Sequence, residues 1–199
     1  MCKAKVHPMQ LLKKYCLLLL MLVMVAQAQR SAVDLFQAAS KGDAAAFAQL
    51  RALGNKGDAK AQYNLGLMYA EGTGVPRDFD QAVSWFRKSA EQGNALGQFS
   101  LGAMYANGFG VPKDFVQAVF WRRKSANQGD SGGQSALGRM YANGDGVPKD
   151  LVMAYMWRNL AAAQGDEIAK KAREDLEKAM TPAQIAEGQR LSREWKPKS

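Results

Sequence analysis

Apolar residues recur at helical spacing between residues 58 and 165, and glycine and proline interrupt them at regular intervals. Residues 59–70 have helical periodicity without proline, which predicts a first helix, helix A. Residues 71–78 contain two glycines and a proline, which predict a connector. A second apolar stripe over about residues 79–92 predicts helix B. The local unit is therefore a helix-turn-helix.

This unit occurs three times with a period of 36 residues and without insertion. The register is marked by Gly66, Tyr69, Trp85, Gly102, Tyr105, Trp121, Gly138, Tyr141 and Trp157. A fixed period of this length predicts stacked repeats that bury a continuous core. The predicted fold class is all-α, an α/α superhelical solenoid of helix-turn-helix repeats with capping helices at both ends.

The period also divides the chain into segments. We predict, in chain order, a signal peptide, N-terminal capping helices with a degenerate half repeat, three repeats and C-terminal capping helices, over residues 1–28, 29–57, 58–93, 94–129, 130–165 and 166–199. The last segment contains Thr181, which is suited to be the N-cap of a final helix, and Pro182, which is suited to be its first residue. We expect Ile185, Leu191 and Trp195 to pack on the third repeat.

The positions that are identical in the three copies are predicted to serve packing. A buried tryptophan removes about 150–250 Å² from water, so Trp85 and its equivalents are expected in the core. A glycine within a helix costs about 1 kcal/mol relative to alanine. Its recurrence at Gly66, Gly102 and Gly138 therefore predicts a contact between helices that is too close for a Cβ atom.

The pattern A-x-A-Q-Y-N-L-G-x-M-Y-x-x-G-x-G-V-P-x-D-x-x-x-A-x-x-W-x-x-x-A-x-x-G, read from residue 59 and twice again, resembles the Sel-one-like repeat, a relative of the tetratricopeptide repeat. The resemblance implies that the first helix of each repeat lines the concave side, where a partner would bind. Helix A positions that differ among the copies are then the candidate partner-binding residues: Asn64, Leu67, Glu71, Ser100, Ala103, Asn107, Arg139 and Asn143. A mixed polar track of this kind suits a peptide segment or a partner helix.

The N-terminus has the features of an export signal. Four lysines precede an apolar run over residues 15–25, which is followed by Ala26-Gln27-Ala28. The small-x-small form predicts cleavage after Ala28, and the run is shorter than the roughly 20 residues that a membrane span needs. We expect a periplasmic protein, with secretion or an uncleaved anchor as the alternatives. Membrane contact is expected only through this segment.

Removing the leader changes the chemistry that is available. Both cysteines and the single histidine lie within it, and the remaining 23 Lys and Arg against 18 acidic residues give a formal net charge of +5. We expect no metal site and no cofactor, because zinc-type ligands are missing. We also expect no nucleic-acid partner. The basic cluster Arg122-Arg123-Lys124 is interpreted as a solvated outer helix face.

Enzyme-like motifs do not have the surroundings that their chemistry requires. Gly129-Asp130-Ser131-Gly132-Gly133 spells a serine-protease nucleophile segment, but the mature chain has no histidine to act as base. The Gly-x-Gly connectors follow no strand and end in no Gly-Lys-Ser/Thr. No serine has a lysine three residues later, as a β-lactamase mechanism requires. No catalytic residue is predicted.

Three functional hypotheses remain. The first is a non-enzymatic adaptor or scaffold of the bacterial cell envelope that binds a protein or peptide along the concave helix A face. The second is a hydrolase acting on the cell wall or on β-lactams, against which the missing nucleophile and base argue. The third is a glycan-binding envelope module, which the mild positive charge weakly favours.

Overall fold

The computed structural model describes residues 31–198. The predicted signal peptide and its cleavage point after Ala28 lie outside the described residues. In this part of the chain there are ten helices: α1 Ala32–Ser40, α2 Ala44–Asn55, α3 Ala59–Glu71, α4 Phe79–Glu91, α5 Ala95–Asn107, α6 Phe115–Asn127, α7 Ser131–Asn143, α8 Leu151–Ala163, α9 Glu167–Glu177 and α10 Pro182–Glu194.

Each repeat is one pair of helices, and consecutive pairs stack on each other. Helices α3, α5 and α7 are the helices A, and α4, α6 and α8 are the helices B. Each helix A packs on its own helix B and on the helix B of the preceding repeat. The prediction of an all-α repeat solenoid is therefore confirmed. The helix bounds differ from the predicted ones by a single residue at the C-terminal ends.

The ends of the helices follow from local chemistry. In the first repeat, Asp58 accepts a hydrogen bond from the Ala61 backbone N–H at 2.7 Å and thereby caps α3. Asp78 caps α4 through the backbone N–H of Gln81 at 3.0 Å. Helix α3 ends at Gly72, whose φ of 74° lies in the left-handed region that glycine adopts without a Cβ penalty. The same devices recur in the other two repeats.

The core continues across the boundaries between repeats. Trp121 of the second repeat packs in one cluster with Leu101 and with Ala82 and Phe86 of the first repeat. The three repeat tryptophans are 5 to 8 % exposed, which places each of them in the core. Two of the core clusters join neighbouring repeats and the third joins the first repeat to the N-terminal helices, so a single repeat would leave this apolar surface in water.

A ladder of buried glutamines also joins the repeats. Gln98 donates to the carbonyl of Ala90 in the preceding repeat at 3.1 Å, and Gln128 donates to the Gln98 side-chain oxygen at 2.8 Å. The equivalent bonds occur around Gln62 and Gln134. The ladder satisfies polar groups that would otherwise be buried without a partner, and it explains why a glutamine recurs inside an apolar helix face.

The C-terminal helices pack on the last repeat. Helices α9 and α10 both contact α8, and the Trp195 ring meets the Trp157 ring edge-on with centroids 6.1 Å apart. Thr181 and Gln184 form the reciprocal capping box at the start of α10. The chain then returns toward the second repeat, where the Lys198 backbone N–H donates to the Asn127 carbonyl at 2.7 Å. Leu191 and Trp195 join the last core cluster, and Ile185 is half-buried.

Candidate functional site

A cleft of about 360 Å³ crosses the helices A of the second and third repeats and reaches α9. Its lining residues come from five successive helices: Phe99, Arg122, Gly132, Ser135, Ala136, Arg139, Arg158, Asp166, Ile168 and Ala172. The cleft therefore lies on the side of the solenoid where the sequence predicted partner binding. Of the eight candidate residues, Arg139 is the one that lines it.

Arg122 reaches this cleft from the outer layer of helices. It belongs to helix B of the second repeat, and yet only 5 % of its surface is exposed to solvent. A Cβ atom on Gly102 would lie 2.8 Å from the Arg122 Cγ and 3.1 Å from the Ala118 carbonyl oxygen. The missing side chain at Gly102 thus leaves the space through which the arginine stem passes α5.

The third repeat repeats this arrangement. A Cβ atom on Gly138 would lie 2.8 Å from the Arg158 Cγ and 3.1 Å from the Ala154 carbonyl oxygen. Arg158 is half-buried and lines the same cleft. In the first repeat the equivalent residue is Phe86, and a Cβ atom on Gly66 would overlap its ring. The three glycines therefore lie at contacts too close for a Cβ atom.

The guanidinium groups in the cleft influence one another. Burial first, and then the positive charge of Arg139, lower the pKa of Arg122 to about 10, whereas Asp145 opposes the shift. The pKa of Arg158 is lowered by burial and by Arg139 in the same way, and Asp175 opposes it. Arg122, Arg139 and Arg158 thus place three guanidinium groups at one cleft.

Apolar side chains border the charged part of the cleft. Phe99 lies beside Arg122, whose Cζ is 5.9 Å from the ring centroid. Ile168 stands at the other border and is 81 % exposed. Leu96 occupies the same repeat position as Ile168 and is also exposed. Ile168 therefore adds exposed apolar surface at the border of the cleft.

The placement of Asn64 on an open face is wrong. Asn64 is 7 % exposed, and its amide donates to the Ala32 carbonyl at 3.0 Å. Helix α1 packs on α3 at this point and covers the position. In sequence Asn64 occupies the same repeat position as Ser100, but only the first repeat has a capping helix over it.

The other six candidates do not line the described cleft. Leu67 is half-buried against the core cluster of Trp121, and Ser100 and Ala103 are also half-buried. Asn107 is exposed and donates to the Ala103 carbonyl of its own helix at 2.9 Å. Glu71 and Asn143 are exposed as well. The partner-binding role of these six residues stays a prediction.

The interpretation of Arg122 as part of a solvated outer face is also wrong. Its neighbours Arg123 and Lys124 are exposed, but Arg122 points inward. A signal was present in the sequence, because Phe86, Arg122 and Arg158 share one repeat position. This position holds a buried phenylalanine in the first repeat and an arginine in the other two. The exchange indicates that the charged ends of the two arginines lie outside the apolar core.

Within residues 31–198 the structure brings together no group of three or more His, Cys, Asp or Glu side chains able to hold a metal ion. None of the helices in the same range is both long and apolar enough to cross a membrane.

Fold and cleft together define a helical repeat protein with an open cleft along its helices A. The Sel1 repeat family model matches residues 59–94, 95–130 and 131–166, which is more than half of the chain. The chain therefore belongs to the Sel1 repeat family. Proteins of this family are in general protein-interaction scaffolds. The matched ranges begin one residue later than the three repeats predicted from the sequence.

Solved structures agree with this assignment. The chain is similar to a Sel1 repeat protein from Oxalobacter formigenes, with 42% identity and a TM-score of 0.59 over 64% of this chain and 96% of that one. It is also similar to c5321, a protective antigen present in uropathogenic Escherichia coli strains that displays an SLR fold, with 29% identity and a TM-score of 0.51. That match covers 85% of this chain but only 46% of c5321. No curated protein matches the chain at a significant level.

Proposed function

We propose that this protein is a non-enzymatic adaptor of the bacterial cell envelope that holds a partner peptide or protein in the cleft along its helices A. The observation that carries the proposal is the cleft across α5, α7 and α9. It combines exposed apolar surface at Ile168 with charged groups at Arg122 and Arg139. Apolar anchors beside a few polar groups are what peptide recognition uses.

The proposed binding mode follows from the shape of the site. The cleft extends across α5, α7 and α9, which suits an extended segment or a helix lying across the repeats better than a compact small molecule. Three of its lining residues are arginines, which are enriched where binding energy concentrates in protein interfaces. The described residues bring no serine, histidine and carboxylate together in the cleft, so its chemistry supports binding rather than catalysis.

The proposed location rests on the N-terminal sequence. Lysines, an apolar run and the small residues Ala26 and Ala28 have the order of a cleavable export signal. We propose that the mature chain begins at Gln29 and works in the periplasm. Secretion beyond the envelope is the alternative that the same signal allows.

Site-directed photo-crosslinking in intact cells tests both parts of the proposal. A photoreactive phenylalanine analogue replaces Ile168, which lines the cleft and is 81 % exposed. The matched control carries the same analogue at Val116, which is 64 % exposed on helix B and does not line the cleft. We expect one specific protein adduct from position 168, and none from position 116. Mass spectrometry of the same adduct should show an N-terminus at Gln29.

Two results would contradict the proposal. Equal adducts from both positions would mean that the cleft has no special role in binding. An N-terminus before residue 28 in the adduct would remove the cleaved, periplasmic form. Substituting Asn107 and Arg139 together, both exposed on the helix A side, should weaken the adduct from position 168 while the melting temperature stays unchanged.

A further inference from the structure

We propose that Arg122, Arg139 and Arg158 form a carboxylate-binding site within the cleft, which takes the acidic side chain of a partner peptide segment. The inference deepens the proposed function and rests on it, because it names the chemistry of the bound segment. Arginine suits this role since its planar guanidinium binds a carboxylate through two parallel hydrogen bonds.

The strongest observation is a buried guanidinium that has unused donors. Arg122 is 5 % exposed, and its Nε and Nη1 atoms have no hydrogen-bond partner among residues 31–198. The buried Nε of Arg158 likewise has none within the described chain. Buried charged groups in proteins are normally paired and hydrogen-bonded. The two arginines line one cleft, so a ligand that enters it would contact both residues.

The nearby acidic groups are already engaged elsewhere. Asp145 accepts a hydrogen bond from Asn143 at 3.1 Å and lies 3.9 Å from Arg139. Asp166 lines the cleft, but its carboxylate caps α9 by accepting from the Ala169 backbone N–H at 2.8 Å. Neither carboxylate is hydrogen-bonded to Arg122 or Arg158. The unpartnered donors of these two arginines are therefore not taken up by these two carboxylates.

The charges around the site favour a singly charged ligand. Acidic groups partly offset the three guanidinium groups, since Asp166 lines the cleft, Asp145 lies 3.9 Å from Arg139 and Asp175 acts on Arg158. A carboxylate suits such a site better than a phosphate group, which carries nearly two negative charges at neutral pH. The apolar borders at Phe99 and Ile168 suit the side chains that flank an acidic residue in a peptide.

The first repeat shows that the scaffold does not need these arginines. There the same position is Phe86, which is 2 % exposed and packs beneath Gly66. An apolar residue of similar length thus fills the space well. Replacing buried charges by apolar residues is often neutral or stabilising, so two buried arginines at this position point to a role outside folding.

Arginine side-chain NMR gives the direct test of the site. The Nε–H signals of Arg122 and Arg158 are assigned by their loss in Arg122→Phe and Arg158→Phe, and the full chain is titrated with N-acetylglutamate α-amide, which carries one carboxylate. The neutral control is N-acetylglutamine α-amide. We expect saturable shifts of both signals with the glutamate compound and none with the glutamine compound. Inorganic phosphate should act only at higher concentration.

Peptide binding provides the second arm. Blocked octapeptide pools with a central Glu or a central Gln are compared by fluorescence anisotropy, and blocking removes the terminal carboxylate. We expect the Glu pool to bind roughly tenfold tighter or more, as for hydrogen bonds to charged groups. Arg122→Phe with Arg158→Phe should abolish that preference at an unchanged or raised melting temperature, whereas the exposed Arg123→Phe should keep it.

The outcomes separate the inference from the function on which it rests. If neither arginine signal responds to the glutamate compound, or phosphate acts at lower concentration, the carboxylate site is overturned. If the Glu and Gln pools bind equally well, the cleft binds peptides and the inference of a carboxylate site is wrong. If the signals respond and neither pool binds, the carboxylate site stands and the peptide-binding function fails. A large loss of melting temperature with an unchanged Glu preference would make the two arginines structural.

Discussion

The first repeat and the two that follow it are built on the same scaffold but present different inner faces. In the first repeat, Phe86 packs beneath Gly66, and helix α1 covers the inner face at Asn64. In the second and third repeats, Arg122 and Arg158 pass beside the equivalent glycines and line an open cleft. One repeat position therefore holds a core phenylalanine in the first repeat and a cleft-lining arginine in the other two.

The comparison shows how a repeat protein acquires a site without changing its fold. The glycine, tyrosine and tryptophan positions hold every repeat together in the same way, so they carry no information about the partner. The missing Cβ atoms of Gly66, Gly102 and Gly138 leave small gaps, the glycine notches. At Gly102 and Gly138 these gaps also allow a long side chain from a helix B to reach the cleft. A residue of a helix B can therefore line the cleft, although its place in the helical pattern alone would assign it to solvent or to the core.

The largest effect is expected where the repeats are alike. Trp121→Ala should lower the free energy of unfolding by about 3–5 kcal/mol, because it leaves a large cavity in a core shared by two repeats. Trp85→Ala and Trp157→Ala should cost similar amounts, since all three rings are almost fully buried. Denaturant unfolding measures these values. Val116→Ala, which is exposed on the same helix as Trp121, should stay within about 0.5 kcal/mol. Clearly unequal losses of unfolding free energy at the three tryptophans would contradict the prediction that the three repeats have equivalent cores.

A smaller effect is expected at the glycine notches. Gly66→Ala should cost about 1–3 kcal/mol, because its Cβ atom would overlap the rigid ring of Phe86. Gly102→Ala should cost less, because the Arg122 stem can adjust, but it should also displace the guanidinium from the cleft. Thermal melts of the two variants make the comparison.

Gly132→Ala is the control for the notch variants, since the nearest atoms to its Cβ atom lie at 3.4 Å. It should be neutral or stabilising by up to about 1 kcal/mol, because alanine favours a helix. A tolerated Gly66→Ala would show that the helices do not need to approach so closely.

The smallest effect concerns the helix that closes the first repeat. Asn64→Ala should cost about 1–2 kcal/mol, since it leaves the Ala32 carbonyl without its side-chain donor. Hydrogen exchange should accelerate in α1 more than in α5. Ser100→Ala, at the same position of the second repeat, should stay within about 0.5 kcal/mol. Equal exchange rates in α1 before and after the Asn64 substitution would show that this bond does not hold the helix.

Much of the fold was predictable because it is locally encoded. Helical periodicity and the glycine and proline connectors gave the predicted helix A over residues 59–70, and the structure has Ala59–Glu71. The N-cap at Thr181 was also predicted from its local sequence and is present. These features depend on residues a few positions apart in the sequence. Comparing the three copies of the repeat separates the shared pattern from deviations that occur in a single copy.

The site was predicted only in outline. Arg139, one of the eight candidate residues, lines the cleft, and the partner-binding role of this face stays a prediction. Asn64 was misplaced because the residue that covers it, Ala32, is 32 positions away and belongs to a cap outside the repeat. Arg122 was misassigned because a helical wheel of α6 alone does not include the space beside Gly102.

By itself, the sequence determined the repeat, its period, the helix bounds and which residues hold the stack together, because these follow from short-range spacing and from the burial of apolar side chains. The tertiary structure alone decided which inner positions stay open. Exposure depends on what packs over a residue, as α1 does over Asn64, and on where a long side chain ends, as Arg122 does after passing Gly102. Both are relations between helices that are distant in sequence.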